Sequence, residues 1–162
     1  MDWGGLSLDM PGPTDEHRRL ERLAGNWAGE EIVHPSPWDP GGGPATGRIV
    51  ARTSLGGFFL VSDYEQQRGG KVNFRGHGVY GWDAESKLYT MHWFDSLGID
   101  PGGPGTGAWD GDVLTFTHGI FPRGRSRYIY RIGSDQYHLR MEQLVAKLGW
   151  RPFLEGTYRR VE

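Results

Sequence analysis

Beyond Gly25 no segment repeats its apolar residues at helical spacing. The chain instead runs as short stretches of alternating apolar and polar residues, each closed by a cluster of Gly, Pro, Asp or Asn. That pattern is the signature of a sandwich or barrel. Strands are predicted near 26–34, 46–55, 57–67, 72–82, 88–96, 105–110, 112–118, 126–132, 136–144 and 150–161. Most of the connections are tight. Arg68-Gly69-Gly70-Lys71 has the Gly-Gly centre of a type I′ hairpin, and Asp110-Gly111-Asp112 and Gly133-Ser134-Asp135 are turns of similar chemistry. Segments 35–44 and 97–105 are longer loops, expected at one rim. A meander of about ten strands must expose two edges or close on itself, and closure into one antiparallel up-and-down barrel removes the edges. A barrel of that size has an interior wide enough for one small ligand.

One helix precedes the strands. Thr14 or Asp15 can cap it, Leu20, Leu23 and Ala24 form its apolar stripe, and Gly25 ends it. Residues 1–13 read as a flexible arm and 14–162 as a single β-barrel domain. Trp3, Leu6, Leu8 and Met10 are apolar for a free arm. With Trp38 they suggest docking on the body or on a second copy of the chain, as in a homodimer. Glycine (27) and proline (10) are abundant, but they are interleaved with rings and β-branched residues, so disorder is not expected. Aromatics are 13% of the chain, so rings must carry much of the apolar burial.

Composition also excludes functions. With no Cys there are no disulfides, thiolate nucleophiles or Cys-based metal sites. A formal charge of −2 argues against a nucleic-acid partner, and no apolar run is long enough for a membrane helix. The first residues lack the basic start and apolar stretch of a secretory signal, so a cytoplasmic location is expected. No Gly-x-Ser-x-Gly elbow or P-loop Lys is present.

Turn lengths set the expected faces. With Gly69-Gly70 as a two-residue turn, Phe59, Val61, Asp63 and Glu65 share a face with Phe74, Gly76, Gly78 and Tyr80, and then with Tyr89, Met91, Trp93 and Asp95. The other face holds Phe58, Leu60, Ser62, Tyr64, Arg75, His77, Val79, His92 and Phe94. The first set is the expected interior, because its glycines oppose large rings and leave space; a slip of one residue would bring His77 and His92 in. Further on, Ser134-Asp135 pairs Tyr128 with Met141, Tyr130 with Leu139 and Ile132 with Tyr137 as an apolar face, opposite Arg127 with Glu142. On the last strand Trp150, Leu154, Gly156 and Tyr158 are expected on one face.

Five ordered stretches resemble a known family: Leu23-Ala24-Gly25-Asn26-Trp27, Arg75 to Asp83 (RGHGVYGWD), Tyr89 to Ser96 (YTMHWFDS), Gly107-Ala108-Trp109-Asp110-Gly111 and Glu155 to Arg160 (EGTYRR). Together they are similar to the bacterial domain of unknown function 1579, over about residues 16–161. The resemblance implies a lipocalin-like barrel with a short helix, and it carries no catalytic residues. Gly25-Asn26-Trp27 is also similar to the first-strand Gly-x-Trp of calycins. That likeness implies a Trp closing one barrel end beneath a basic residue of the last strand, Arg159 or Arg160. The same start resembles nitrobindin-type haem barrels, but no His lies beyond His138 to match their C-terminal ligand.

Three constellations carry possible chemistry. Asp63 and Asp95 inside an aromatic cavity would repel one another and form a general acid. His77 and His92, diagonal on neighbouring strands, form a proton relay or half of a metal site, with no firm third ligand. Tyr80, Met91, Trp93, Tyr128, Tyr130 and Met141 would line a pocket for a flat molecule, or simply pack as core. The function expected is a barrel holding a small, largely apolar or aromatic molecule, with no cofactor or metal. The alternatives are an enzyme using Asp63, His77 or Asp95 for acid–base chemistry such as cyclisation, isomerisation or hydration, and a filled barrel acting as an interaction module.

Overall fold

The computed structural model describes residues 10–37, 39–120 and 124–162. Trp3, Leu6, Leu8 and Trp38 therefore lie outside the described residues, while Met10 is exposed. Thr14 starts the helix α1 (Asp15–Arg19), and its backbone N–H donates to His17 Nδ1 at 3.0 Å. A 3-10 turn over Leu20–Leu23 follows. Leu20 and Leu23 are its buried residues, so the segment works as a plug with one apolar side.

Ten strands come next: β1 (Gly25–Val33), β2 (Gly43–Ser54), β3 (Phe59–Arg68), β4 (Lys71–Asp83), β5 (Leu88–Asp95), β6 (Gly105–Asp110), β7 (Val113–Ile120), β8 (Gly124–Ile132), β9 (Gln136–Val145) and β10 (Gly149–Arg160). Each pairs antiparallel with its sequence neighbour, and β10 returns to β1 to close the barrel. Gly69 and Gly70 turn the β3–β4 hairpin with φ of +59° and +76°, the left-handed pair that a type I′ turn requires. Both long loops, 34–42 and 96–104, lie at the end of the barrel opposite the helix. That end is called upper below.

The lower end is sealed. Trp27 is 1% exposed, and its indole N–H donates to the Leu23 carbonyl at 3.0 Å. The Arg160 guanidinium sits 4.2 Å from the Trp27 ring centroid and donates to the carbonyls of Ala24 (2.8 Å) and Ser134 (3.2 Å). Of the two basic candidates on the last strand, it is Arg160 that covers the tryptophan.

Two bulges decide which way side chains point. Lys71 pairs with Arg68 and Val72 with Gln67, as a two-residue turn demands. Then Asn73 is left over, and Phe74 pairs with Gln66. The extra residue shifts the rest of β3 by one place relative to β4. Leu60, Ser62, Tyr64 and Gln66 therefore face inward beside Tyr80, Gly78, Gly76 and Phe74, whereas Asp63 pairs with His77 on the outer wall. The interior expected for β3 is corrected by this bulge, while the expected faces of β4 and β5 stand, with Trp93 opposite Gly78 and Met91 opposite Tyr80. The second bulge lies between Pro152 and Leu154. It turns Trp150 outward, where Arg127 covers its ring at 4.3 Å, instead of leaving it on the face of Leu154. The β8–β9 register is the one set by a Ser134-Asp135 turn.

Candidate functional site

The interior splits into two levels. The lower level is solid, with Leu20, Leu23, Trp27, Ala51, Tyr89, Leu114, Phe116 and Ile132 buried. Higher up, two strand glycines make room for rings. At Gly76 a Cβ would overlap the Trp93 indole, and at Gly156 it would overlap the Tyr158 phenol. Above the solid level lies a void of about 40 Å3, lined by Leu23, Ile49, Ser62, Tyr64, Tyr80, Trp93, Tyr130, Tyr137, Leu139, Met141 and Tyr158. It has room for roughly three waters. Tyr64, Trp93 and Met141 are half-buried and the rest of the upper lining is buried, so these three mark its open side.

The polar groups around this void form two sets. The Tyr80 and Tyr130 hydroxyls share a hydrogen bond of 2.9 Å. The second set lies behind the lining phenols Tyr64 and Tyr158 and centres on a carboxylate. Glu31, 2% exposed, points inward from β1. Tyr64 donates to both its oxygens at 2.8 Å, the Gln66 amide donates to Oε1 at 3.0 Å, and the Tyr158 hydroxyl donates to Oε2. The Gln66 amide is itself oriented by Asn73, the bulge residue, whose Nδ2 donates to Gln66 Oε1 at 2.9 Å. The bulge thus both turns β3 and holds one donor on the buried acid.

Burial, and then the Glu31 charge, push the Tyr64 and Tyr158 hydroxyls well above the usual phenol range. Burial alone is the main cause at Tyr80, pushed up to about 12, and at Tyr130 and Tyr137. These phenols stay protonated at neutral pH. They can hold a ligand by hydrogen bonds, but they are poorly matched to proton transfer.

Of the residues predicted from the sequence, Tyr80, Trp93, Tyr130 and Met141 line the void. Tyr128 packs beside Met141 against the core, and Met91 is buried in the core away from the void. Asp95 stands at the upper rim, where it accepts the Trp93 indole N–H at 3.2 Å and the Leu97 backbone N–H at 3.0 Å. Asp63 and His77 do not enter the interior. They meet on the outer wall at 2.7 Å, with Arg52 3.4 Å from the same carboxylate. The His77 hydrogen bond is the main cause that holds Asp63 below the usual carboxylate range. His92 pairs with Val79 on that outer face. Asp63 and Asp95 are therefore not a carboxylate pair, and the acid–base trio Asp63, His77 and Asp95 is dispersed between opposite sides of the sheet. Among the described residues no group of three or more His, Asp or Glu is placed to hold a metal ion, and no helix is long and apolar enough to cross a membrane.

Sequence reasoning missed Glu31, Tyr64, Gln66 and Tyr158 as a group. One signal was available: Trp27, Gly29 and Glu31 alternate along β1, so an inward Trp27 carries Glu31 inward with it.

A family model described as "Protein of unknown function (DUF1579)" matches residues 12–160. The chain belongs to this family. No curated protein matches the sequence. Among solved structures, this DUF1579 protein is similar to Rv2717c from M. tuberculosis, with a TM-score of 0.69, 17% identity, and 92% of this chain and 99% of that chain covered. It is also similar to the S-type phycobiliprotein lyase CPES from Guillardia theta, with a TM-score of 0.64, 10% identity, and 91% and 93% covered. At these identities the likeness is one of fold: both are matched along nearly the whole barrel.

Proposed function

We propose that this DUF1579 barrel binds a small, largely aromatic or apolar molecule through its upper interior. The observation that carries the reading is the void between the solid lower core and the upper rim, apolar on most sides and bordered by converging phenols. Apolar walls with a few placed polar groups are the ordinary design of a ligand site. The void is well below the ~300–1,000 Å3 of a typical small-molecule pocket. The ligand therefore sits with one end in the void and its body across Trp93 and Met141 at the open side. The fold shared with a phycobiliprotein lyase is compatible with this use of a barrel. Native mass spectrometry of the purified protein tests it. A copurified mass lost on unfolding is the expected result, and Gly76→Val, whose side chain would overlap the Trp93 indole and drive that ring from its place at the open side, should abolish it.

A second reading has its own observation. Leu97, Ile99, Leu144, Val145 and Leu148 are exposed on the upper loops and hairpin, a rim suited to contact with another protein. An empty barrel by mass spectrometry, together with a rim variant (Leu97→Ser, Leu148→Ser) that loses a partner captured by the wild type, would favour an interaction module.

A further inference from the structure

Glu31 is an acid buried among neutral partners. Tyr64, Tyr158 and Gln66 are its hydrogen-bond donors, and none of them carries a charge. Arg68, at the upper end of β3 beyond Gln66, is committed elsewhere: it donates to Asp39 and to the Gly42 carbonyl in the upper loop, both at 2.5 Å. The buried carboxylate accepts hydrogen bonds, and among the described residues no Lys, Arg or His forms an ion pair with it. Such a group is costly for stability, and apolar residues of similar volume would pack the space at less cost.

The hydrogen-bond directions fix what the two phenols beside Glu31 offer a guest. Both Tyr64 and Tyr158 spend their protons on Glu31. Each phenol has a single proton, so toward the void these two oxygens only accept, and the Tyr64 oxygen already accepts one hydrogen bond from the Gln66 amide at 3.1 Å. In the Tyr80–Tyr130 pair one proton is used within the pair. Ser62 and Tyr137 also line the void and bring hydroxyl donors to it, so its preference among guests is set by the buried Glu31 carboxylate behind Tyr64 and Tyr158. Its open side carries the faces of Trp93 and Tyr64, whose centroids are 6.2 Å apart, and π-faces attract cations.

We infer that the upper interior selects a nitrogen cation on an aromatic body, an arylalkyl amine or a related protonated nitrogen base. The N–H groups point at the Tyr64 and Tyr158 oxygens, with Glu31 behind them and the ring on Trp93. This inference rests on the binding reading above and adds the sign of the ligand's charge. Carboxylate ligands are disfavoured by the same charge.

Isothermal titration with three probes of one shape tests it: 1-naphthylmethylamine (cation), 1-naphthalenemethanol (neutral) and 1-naphthoate (anion), at neutral pH. The amine should bind at least about tenfold tighter than the alcohol, and the naphthoate weakest of the three. Glu31→Gln should lower amine affinity by about tenfold while leaving the alcohol within about twofold. The ranking on the wild type needs no variant, so it stands even if Glu31→Gln folds poorly. Equal binding of the three probes, or a preference for the alcohol or the naphthoate, overturns the nitrogen selectivity and leaves the binding reading intact. Unchanged amine affinity in a folded Glu31→Gln protein also overturns it. Failure of all three to bind removes the binding reading and this inference with it.

Discussion

Arg160 shows how much one surface residue can do when its geometry is shared. Its guanidinium lies on Trp27 and bonds two carbonyls from separate loops, so it ties the end of β10 to the helix exit and to the β8–β9 turn. Arg160→Ala is expected to cost about 1–3 kcal/mol in urea unfolding. Its exposed neighbour makes a control, and Arg159→Ala should stay within about 0.5 kcal/mol. Glycine at 78 is a second sensitive position, because an added Cβ would lie 2.8 Å from the Tyr80 ring. Gly78→Ala should destabilise by about 1–3 kcal/mol through overpacking, with a shift in tryptophan emission because the Trp93 ring lies 3.3 Å from the same point.

Among elements, the 3-10 turn and the β3–β4 bulge do most to shape the interior. Leu20 and Leu23 plug the lower end at 2% and 5% exposure. Leu23→Ala should cost about 2–5 kcal/mol, and because Leu23 also borders the void it should enlarge it, which xenon binding would detect. The bulge has a separate consequence. Deleting Asn73 removes the extra residue and would return β3 to the register that places Asp63 inside. A charged group and its partners would then replace Leu60 and Tyr64 in the core, so the deletion should prevent cooperative unfolding in a calorimetric scan. Asn73→Ala keeps the register and frees only the Gln66 amide, and it should unfold cooperatively with a loss of about 1 kcal/mol.

For the whole molecule, an ion-pair ladder crosses the outside of β8, β9 and β10 to His34, just past the end of β1. Glu142, 5% exposed at its side chain, accepts from Arg127 at 2.5 Å and Arg140 at 3.0 Å. Arg140 reaches on to Glu155 at 3.1 Å, and His34 meets the same Glu155 at 2.7 Å. Burial raises the affinity of both carboxyls for protons, but hydrogen bonds from Arg127 and Arg140 at Glu142, and His34 with Arg140 at Glu155, outweigh it and hold both below the usual range. A carboxyl that is more acidic folded than unfolded adds stability above its unfolded value, about pH 4, and loses it as pH falls through the folded one. Urea midpoints should therefore drop below about pH 4. Glu142→Gln should cost about 1–2 kcal/mol at neutral pH, and its difference from the wild type should shrink toward pH 3. A constant difference across that range would refute the linkage.

Local chemistry determined a good deal of this protein by itself. Strand alternation and turn residues depend on neighbours a few places away, so strand number, the Gly69-Gly70 and Ser134-Asp135 hairpins and the inward sets on β4, β5, β8 and β9 were legible in the residues alone. Tertiary structure decided the rest. A single bulge at Asn73 reverses β3, and a one-residue shift leaves no mark on a two-residue period until both strands are paired; Asp63 therefore lies outside, beside His77, and Ser62 and Tyr64 inside. Glu31 follows another Glu and reads as surface in isolation. It becomes a buried site only because closure of β1 between β2 and β10 brings Tyr158 on one side and Tyr64 and Gln66 on the other, from positions up to 127 residues away, to donate hydrogen bonds to it.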